Sequence, residues 1–305
     1  MKKFLASMVL LALLGSGIAF AINRSTTSST SNDKVSVAAS FYPLYDFAKN
    51  VGRGQVSAVN ITPAGAEPHD YEPSPKTLAN AQKSDVFIYN GAHMEPWVDG
   101  FLQDYKHTSV KASRGVDLRK ATDEEDPNKQ VQDPHFWLDP VLAQHIVAII
   151  RDGLIKADPT HKAEYTKNAA VYTAKLAQLD KDFQAGLASC QTRTIITSHD
   201  AFSYLAQRYN LQVVSIAGIS PDEEPSAQKL AELSKLVEDK HIKYVFFESL
   251  VSPRLADTIA AEAGANTLVF DPIEGLSNDN QKQGKNYLSV QRQNLANLRT
   301  ALACQ

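Results

Sequence analysis

With 305 residues, the chain is long enough for two lobes that each bury a core. At 43% hydrophobic and 21% charged residues it has the composition of a soluble globular protein, which excludes disorder, collagen and a multi-span membrane protein. A formal net charge of −3 argues against nucleic acid as a partner and suits a cationic ligand.

The chain opens on "MKKFLASMVLLALLGSGIAFA", two lysines followed by an apolar run and the small residues Ala19 and Ala21. That is the pattern of an export signal over 1–21. The alternative is an uncleaved anchor, because Phe4 to Ile22 approaches the length that spans a bilayer. No Cys follows the run, so a lipoprotein anchor is not expected. Cleavage removes Lys2 and Lys3 and no acid, leaving 29 basic against 34 acidic residues and a net charge of −5. In either case the body is expected outside the cytoplasm, periplasmic or otherwise extracytoplasmic. Residues 22–34 are Ser/Thr-rich and read as a tether.

From Val35 onward, short β-rich runs alternate with helical patterns. "VSVAAS" from Val35, "VSAVNI" from Val56, "DVFIYN" from Asp85 and "SVKAS" from Ser109 make up a first lobe over 35–157. "RTIITS" from Arg193, "QVVSIAGI" from Gln212, "KYVFFES" from Lys243 and "NTLVFDPI" from Asn266 repeat the plan over 190–305, with "SAQKLAELSKLVEDK" and "RLADTIAAEAG" as helices between them. Such alternation predicts an α/β fold with mainly parallel sheets. Between the halves, over 158–189, Asp158 can cap and Pro159 can start a helix. There the spacing of Tyr165, Tyr172, Leu176, Leu179, Phe183 and Leu187 predicts one long amphipathic helix. Lobes joined that way should rock rather than clamp shut. Cys190 and Cys304 are the two cysteines, and an even count in an exported chain favours a disulfide, two buried thiols being the alternative.

The histidines separate by their place relative to the strands. His69 follows the second strand of the first half and His135 the fourth; His199 ends the first strand of the second half, and Asp271 ends its fourth. Ligands bind beyond the carboxyl ends of strands in open α/β sheets. Each residue alone has an ordinary structural role open to it, Asp271 before Pro272 as a turn residue above all. As a set, three imidazoles and one carboxylate from two lobes make a tetrahedral zinc shell. In "QDPHFWLDP", Asp133 or Asp139 can hold the far nitrogen of His135, while Phe136 and Trp137 exclude water. Asp70 and Asp200 are candidates for the same task at His69 and His199. His93 lies near the third strand's end as an accessory or entry residue, and Glu248 is open to three readings, a metal ligand or, in preference, a hydrogen-bond partner of the site or a helix cap. His107, His145, His161 and His241 are expected at the surface. The acidic run "DEEDPN" at 123–128 reads as a solvated loop, or as a funnel for cations.

The motifs "FYPLYDFAKNV", "GAEPHDYEPSP", "YNGAHMEPWV", "DPHFWLDP", "TSHDAFSYLAQRY" and "FDPIEGL" resemble, in order and spacing, the metal-specific solute-binding proteins of ABC importers. Within that zinc and manganese cluster the chain looks most like the periplasmic zinc-binding members. The resemblance implies two βα lobes with four-stranded sheets, one rigid connecting helix and a metal in the interlobe cleft. It carries ligand roles onto His69, His135, His199 and Asp271. It also implies a membrane permease as partner, a monomer, and no enzymatic activity. Members that look manganese-specific tend to carry Glu where this chain has His199, so Zn(II) is expected, with Mn(II) as the alternative. The histidine-rich loop of many zinc members is absent between His107 and His135. A zinc hydrolase would need a position left for water, and no HExxH, GxSxG or P-loop motif is present. A cell-surface adhesin of the same family is a further class.

Overall fold

The computed structural model describes residues 34–122 and 130–305. The leader at 1–21, the tether up to residue 33 and the acidic run at 123–128 lie outside them. The first lobe runs β1 (Val35–Ala39), α1 (Tyr42–Gly52), β2 (Val56–Asn60), α2 (Pro75–Ala81), β3 (Val86–Tyr89), α3 (Val98–Asp104) and β4 (Thr108–Lys111). A short antiparallel pair, β5 (Lys120–Thr122) and β6 (Gln130–Gln132), precedes α4 (Pro140–Ala157) and α5 (Lys162–Gly186). The second lobe runs β7 (Thr194–Thr197), α6 (Ser203–Tyr209), β8 (Gln212–Ser215), α7 (Ala227–Asp239), β9 (Tyr244–Phe247), α8 (Arg254–Glu262), β10 (Asn266–Val269), α9 (Asn278–Lys282) and α10 (Tyr287–Ala301).

The eight expected strands all form, and each lobe has one four-stranded parallel sheet, in the orders β2-β1-β3-β4 and β10-β9-β7-β8. Counted within its own lobe, each sheet runs second, first, third, fourth, so the halves share one topology. Parallel pairing puts every carboxyl-terminal strand end of a sheet on the same edge, where loops can carry functional side chains. Sequence signals set the helix starts. Ser74 accepts from Thr77 N–H ahead of Pro75, Asp139 accepts from Val141 N–H ahead of Pro140, and Asn286 forms a capping box with Ser289.

The linker begins differently from the single helix expected from Asp158. Asp158 caps a 3₁₀ turn, Pro159–His161, and the 25-residue α5 follows, roughly 37 Å long. Its apolar stripe of Tyr165, Tyr172, Leu176, Leu179 and Phe183 is buried as the spacing predicts. That stripe packs along α4 and against α1 and α10. One apolar core therefore runs from the first sheet through α5 to α10, with smaller clusters on the outer side of each sheet. Phe47 of α1 stands 4.8 Å ring to ring from Tyr287 of α10 and 5.8 Å from Tyr172 of α5. Burying each such ring contributes about 2–3 kcal/mol, so parting the lobes by more than a small rocking is costly. Cys190 and Cys304 are joined, and beside the bridge Gln305 N–H donates to Ser189 O. A crosslink over 114 residues stabilises by about 4–5 kcal/mol on the chain-entropy account. Among the described residues no helix is long and apolar enough to cross a membrane.

Gly153 of α4 sets how closely that helix seats on the first sheet. A Cβ there would stand 2.4 Å from Val110 Cγ2 on β4. Overpacking costs about 1–3 kcal/mol, more than the roughly 1 kcal/mol that Ala gains in helix propensity. Gly153→Ala is expected to lower the thermal midpoint, and Val110→Ala in the same chain to recover part of the loss. A variant as stable as the parent would contradict this packing.

Candidate metal centre

Four loops at the facing sheet edges deliver the site. His69 lies on the long connection from β2 to α2, and its own N–H donates to Glu67 Oε1 at 3.1 Å. Upstream in that loop Gly65, at φ +85°, donates its N–H to Leu276 O of the second lobe at 3.0 Å. Only glycine adopts that conformation without steric cost, so the turn that brings His69 to the cleft depends on it.

His135 is held most firmly. Asp133 Oδ1 accepts from both the His135 backbone N–H and ring Nδ1–H, each at 2.9 Å. Asp133 Oδ2 accepts from Ser203 Oγ of α6, and its carbonyl accepts from Tyr204 Oη at 2.9 Å. The turn after His135 is bonded across the cleft as well. Trp137 Nε1 donates to Pro272 O at 2.8 Å, Tyr287 Oη donates to Trp137 O at 2.6 Å, and Gln291 donates to Leu138 O at 3.1 Å. Trp137 is fully buried, its ring 5.2 Å from that of His135, which keeps water from this side.

His199 follows β7 by two residues, and its Nδ1 bonds Glu248 Oε1 at 2.7 Å. Glu248 sits one residue past β9 and is buried. Glu274 comes from the loop after β10, a turn built on Asp271. Asp271 Oδ1 accepts the Ile273 N–H at 2.7 Å, and Ile273 is left-handed at φ 59°. Asn294 of α10 brackets the turn, accepting from Asp271 N–H at 3.0 Å and donating to Asp271 O at 2.7 Å.

His69, His135, His199 and Glu274 converge, with one donor atom of each within 4.8 Å of all the others. His135 Nε2 lies 3.1 Å from His69 Nε2, 3.3 Å from His199 Nε2 and 3.1 Å from Glu274 Oε1. Glu274 Oε1 is 3.3 Å from both His69 Nε2 and His199 Nε2. A tetrahedron with bonds of 2.0–2.1 Å has edges of about 3.3–3.4 Å, so the three separations of 3.3 Å match a zinc-sized centre and the two of 3.1 Å fall slightly inside it. The donors are almost entirely buried, His69 at 8% exposure being the most open.

The electrostatics favour a cation. Carboxylates behind His135 and His199 accept from Nδ1, so both rings direct an Nε2 lone pair at the same point. Burial alone would hold both rings neutral. Asp133 and Glu274 outweigh it to raise His135, and Glu248 and Glu274 raise His199 well above the usual histidine value. Burial wins at His69, which is lowered. Glu274 is held well below the carboxylate range against its burial by the three imidazoles, His199 first.

The assignment of Asp271 as the fourth donor is corrected. Its carboxylate turns back to close the Asx turn and is pushed up to about 6 by burial, while Glu274, three residues on, supplies the converging oxygen. Of the accessory candidates, Asp133, Glu248 and Trp137 touch the imidazoles as described. Asp139 instead caps α4 and pairs with Arg208. His93 is exposed at φ 62° and lines, with His69, Asp70, Pro134, Asp222 and Glu224, a cavity of about 510 Å³ at the mouth of the site. Among the described residues neither Asp70 nor Asp200 bonds a ring nitrogen of its neighbouring histidine.

The family model described as "ZnuA: Zinc-uptake complex component A periplasmic" matches residues 37–301. The chain belongs to this family. It is 40% identical over 293 residues to the high-affinity zinc uptake system protein ZnuA of Bacillus subtilis, 92% of each chain being covered. The crystal structure of the Zn(II)-bound ZnuA-like domain of Streptococcus pneumoniae AdcA superposes with a TM-score of 0.77 at 40% identity, over 88% of this chain and 99% of that one. The chain spans 60% of full-length AdcA from that species. The laminin-binding protein Lmb of Streptococcus agalactiae, described as a bifunctional protein with adhesin and metal transporting activity, is 34% identical with a TM-score of 0.80, over 88% and 99% of the two chains.

Two substitutions separate the carboxylates. Glu274→Ala is expected to weaken zinc binding by roughly 100-fold or more, since even removing a partner behind a ligand costs 10–100-fold. Asp271→Asn keeps an oxygen for the Ile273 N–H and should leave the affinity essentially unchanged. Titration against a competing chelator reads both, and the reverse order of effects would return the ligand role to Asp271. Glu248→Leu should cost about 10–100-fold through His199 alone; an unaltered affinity would remove Glu248 from the site.

Proposed function

We propose that the chain captures Zn(II) outside the cytoplasm and hands it to an ABC-type membrane permease. His69, His135 and His199 hold the ion through Nε2 and Glu274 through Oε1. The observation that carries this is the facing of two imidazole lone pairs across 3.3 Å, with a third imidazole and a carboxylate closing the remaining sides. Three imidazoles and one oxygen favour zinc over manganese, which prefers oxygen donors. Four protein donors leave no place for a reactive water, which separates this centre from hydrolytic zinc sites with three. The names of ZnuA and AdcA support zinc as the cargo, and the family description supports a periplasmic place, in keeping with the export signal at 1–21. Adhesion of the kind named for Lmb is the second reading. The continuous core through α5 favours release by a small displacement at the cleft, with the lobes 35–157 and 190–305 moving as bodies about 158–189.

Protein purified without chelator is expected to carry one zinc per chain by elemental analysis, and to keep it against excess Mn(II). Metal-free protein, or manganese in place of zinc, would contradict the proposal. Protons compete for the same nitrogens. His135 and His199 are raised when no metal is bound, so affinity is full above those values and falls as pH drops through them, starting above the ordinary histidine value of about 6.5. His69, being lowered, adds its effect only at more acid pH. Calorimetry at pH 8 and pH 6 should give the weaker binding at pH 6 with proton release, and equal affinities would contradict imidazole ligation.

A further inference from the structure

Asp133, the residue behind His135, is itself tied at each of its polar groups. Its Oδ1 serves the backbone N–H and ring Nδ1–H of His135. The other three groups all lead to Arg119, the residue just before β5. Asp133 N–H donates to Arg119 O at 2.9 Å. Asp133 O accepts from Tyr204 Oη at 2.9 Å, and that hydroxyl oxygen accepts from Arg119 N–H at 2.8 Å. Asp133 Oδ2 accepts from Ser203 Oγ, which in turn accepts from Arg119 Nε–H at 3.0 Å.

The last of these paths depends on the arginine side chain. A serine hydroxyl carries one hydrogen and rotates to suit its surroundings. A guanidinium has donors only, so Arg119 takes a lone pair of Ser203 and leaves the hydroxyl hydrogen to point at Asp133. Gln207 Oε1 holds the guanidinium in place by accepting from Nη1, and the Tyr204 ring lies beneath it with its centroid 5.9 Å from Cζ. With Oδ2 pinned in a site where Asp133 is 1% exposed, the carboxylate presents Oδ1 to both hydrogens of His135. Arg119 belongs to the first lobe and Ser203 to α6 of the second, so the aim of a first-lobe ligand is set across the cleft.

We propose that Arg119 is a positioning residue of the metal centre, acting through Ser203 and Asp133 to aim Nε2 of His135 at the ion. The proposal rests on the ligand role given to His135 above. Its effect is geometric: it removes alternative orientations of the carboxylate, and with them of the ring, before the metal arrives.

Arg119→Met keeps the apolar stem and the backbone bonds to Asp133 and Tyr204 but removes the side-chain donors. Losing the partner directly behind a ligand costs about 10–100-fold in affinity, and Arg119 stands one bond further back, so zinc binding in a chelator competition should weaken by roughly 3–10-fold. Ser203→Ala should lose a similar factor, and the double variant no more than Ser203→Ala alone, because the two share one path. The Nδ1–H resonances of zinc-loaded protein labelled with ¹⁵N-histidine separate positioning from general damage. In Arg119→Met the His135 signal should move upfield and exchange faster with water, while that of His199, bonded to Glu248, stays in place. Parental affinity in Arg119→Met, additive losses in the double variant, or both histidine signals moving together would overturn the proposal. Thermal unfolding of the metal-free variants reads folding; if Arg119→Met does not fold, Ser203→Ala decides alone, weakened binding supporting the path and parental binding overturning it. His135→Ala should lose about 100-fold or more in the same titration. Binding that survives that change would overturn the ligand set, a failure distinct from one at Arg119.

Discussion

Two buried carboxylate–imidazole hydrogen bonds govern this centre. Asp133 behind His135 and Glu248 behind His199 keep the hydrogens on the far nitrogens, so the near nitrogens meet as lone pairs 3.3 Å apart. Such an arrangement is repulsive unless positive charge lies between them, and Glu274 adds a negative oxygen to the same point. In water each group would be satisfied separately; here the surrounding core excludes that solution and leaves a cation as the common partner.

The fold places that constraint where it is useful. Two sheets of the same topology turn their carboxyl edges toward one cleft, and each contributes two of the four donors. The His135 segment is the joint between them. Its backbone is bonded by Tyr204, Tyr287 and Gln291 of the second lobe, and Trp137 reaches Pro272, two residues before Glu274. Displacing the second lobe therefore strains the surroundings of two donors together. In physical terms, a rigid helix with a shared core is compatible with tight capture, since little ordering remains to be done when the ion arrives.

Much of this was legible from residue order. Strands such as "DVFIYN" and "KYVFFES" are dense in β-branched and aromatic residues, and the 3.6-residue repeat from Tyr165 to Phe183 has a single buried reading. That three histidines converge was legible because parallel sheets gather side chains beyond strand ends, and the family motifs single out the same three. Glu274 was not. "FDPIEGL" offers two acids three residues apart after one strand, and the resemblance carried the ligand role to the first. Asp before Pro also reads as a turn residue, and the turn it closes, with Ile273 left-handed, is what aims the second acid inward. The pair β5 and β6 was missed because three-residue polar strands carry no periodicity to detect.

The most direct test of the account is a crystal structure of the zinc-loaded protein with anomalous data collected at the zinc edge. A single peak at about 2.0–2.2 Å from His69, His135 and His199 Nε2 and from Glu274 Oε1 is the predicted result. A peak bound by Asp271 in place of Glu274, a water completing the shell, or zinc elsewhere on the molecule would contradict it.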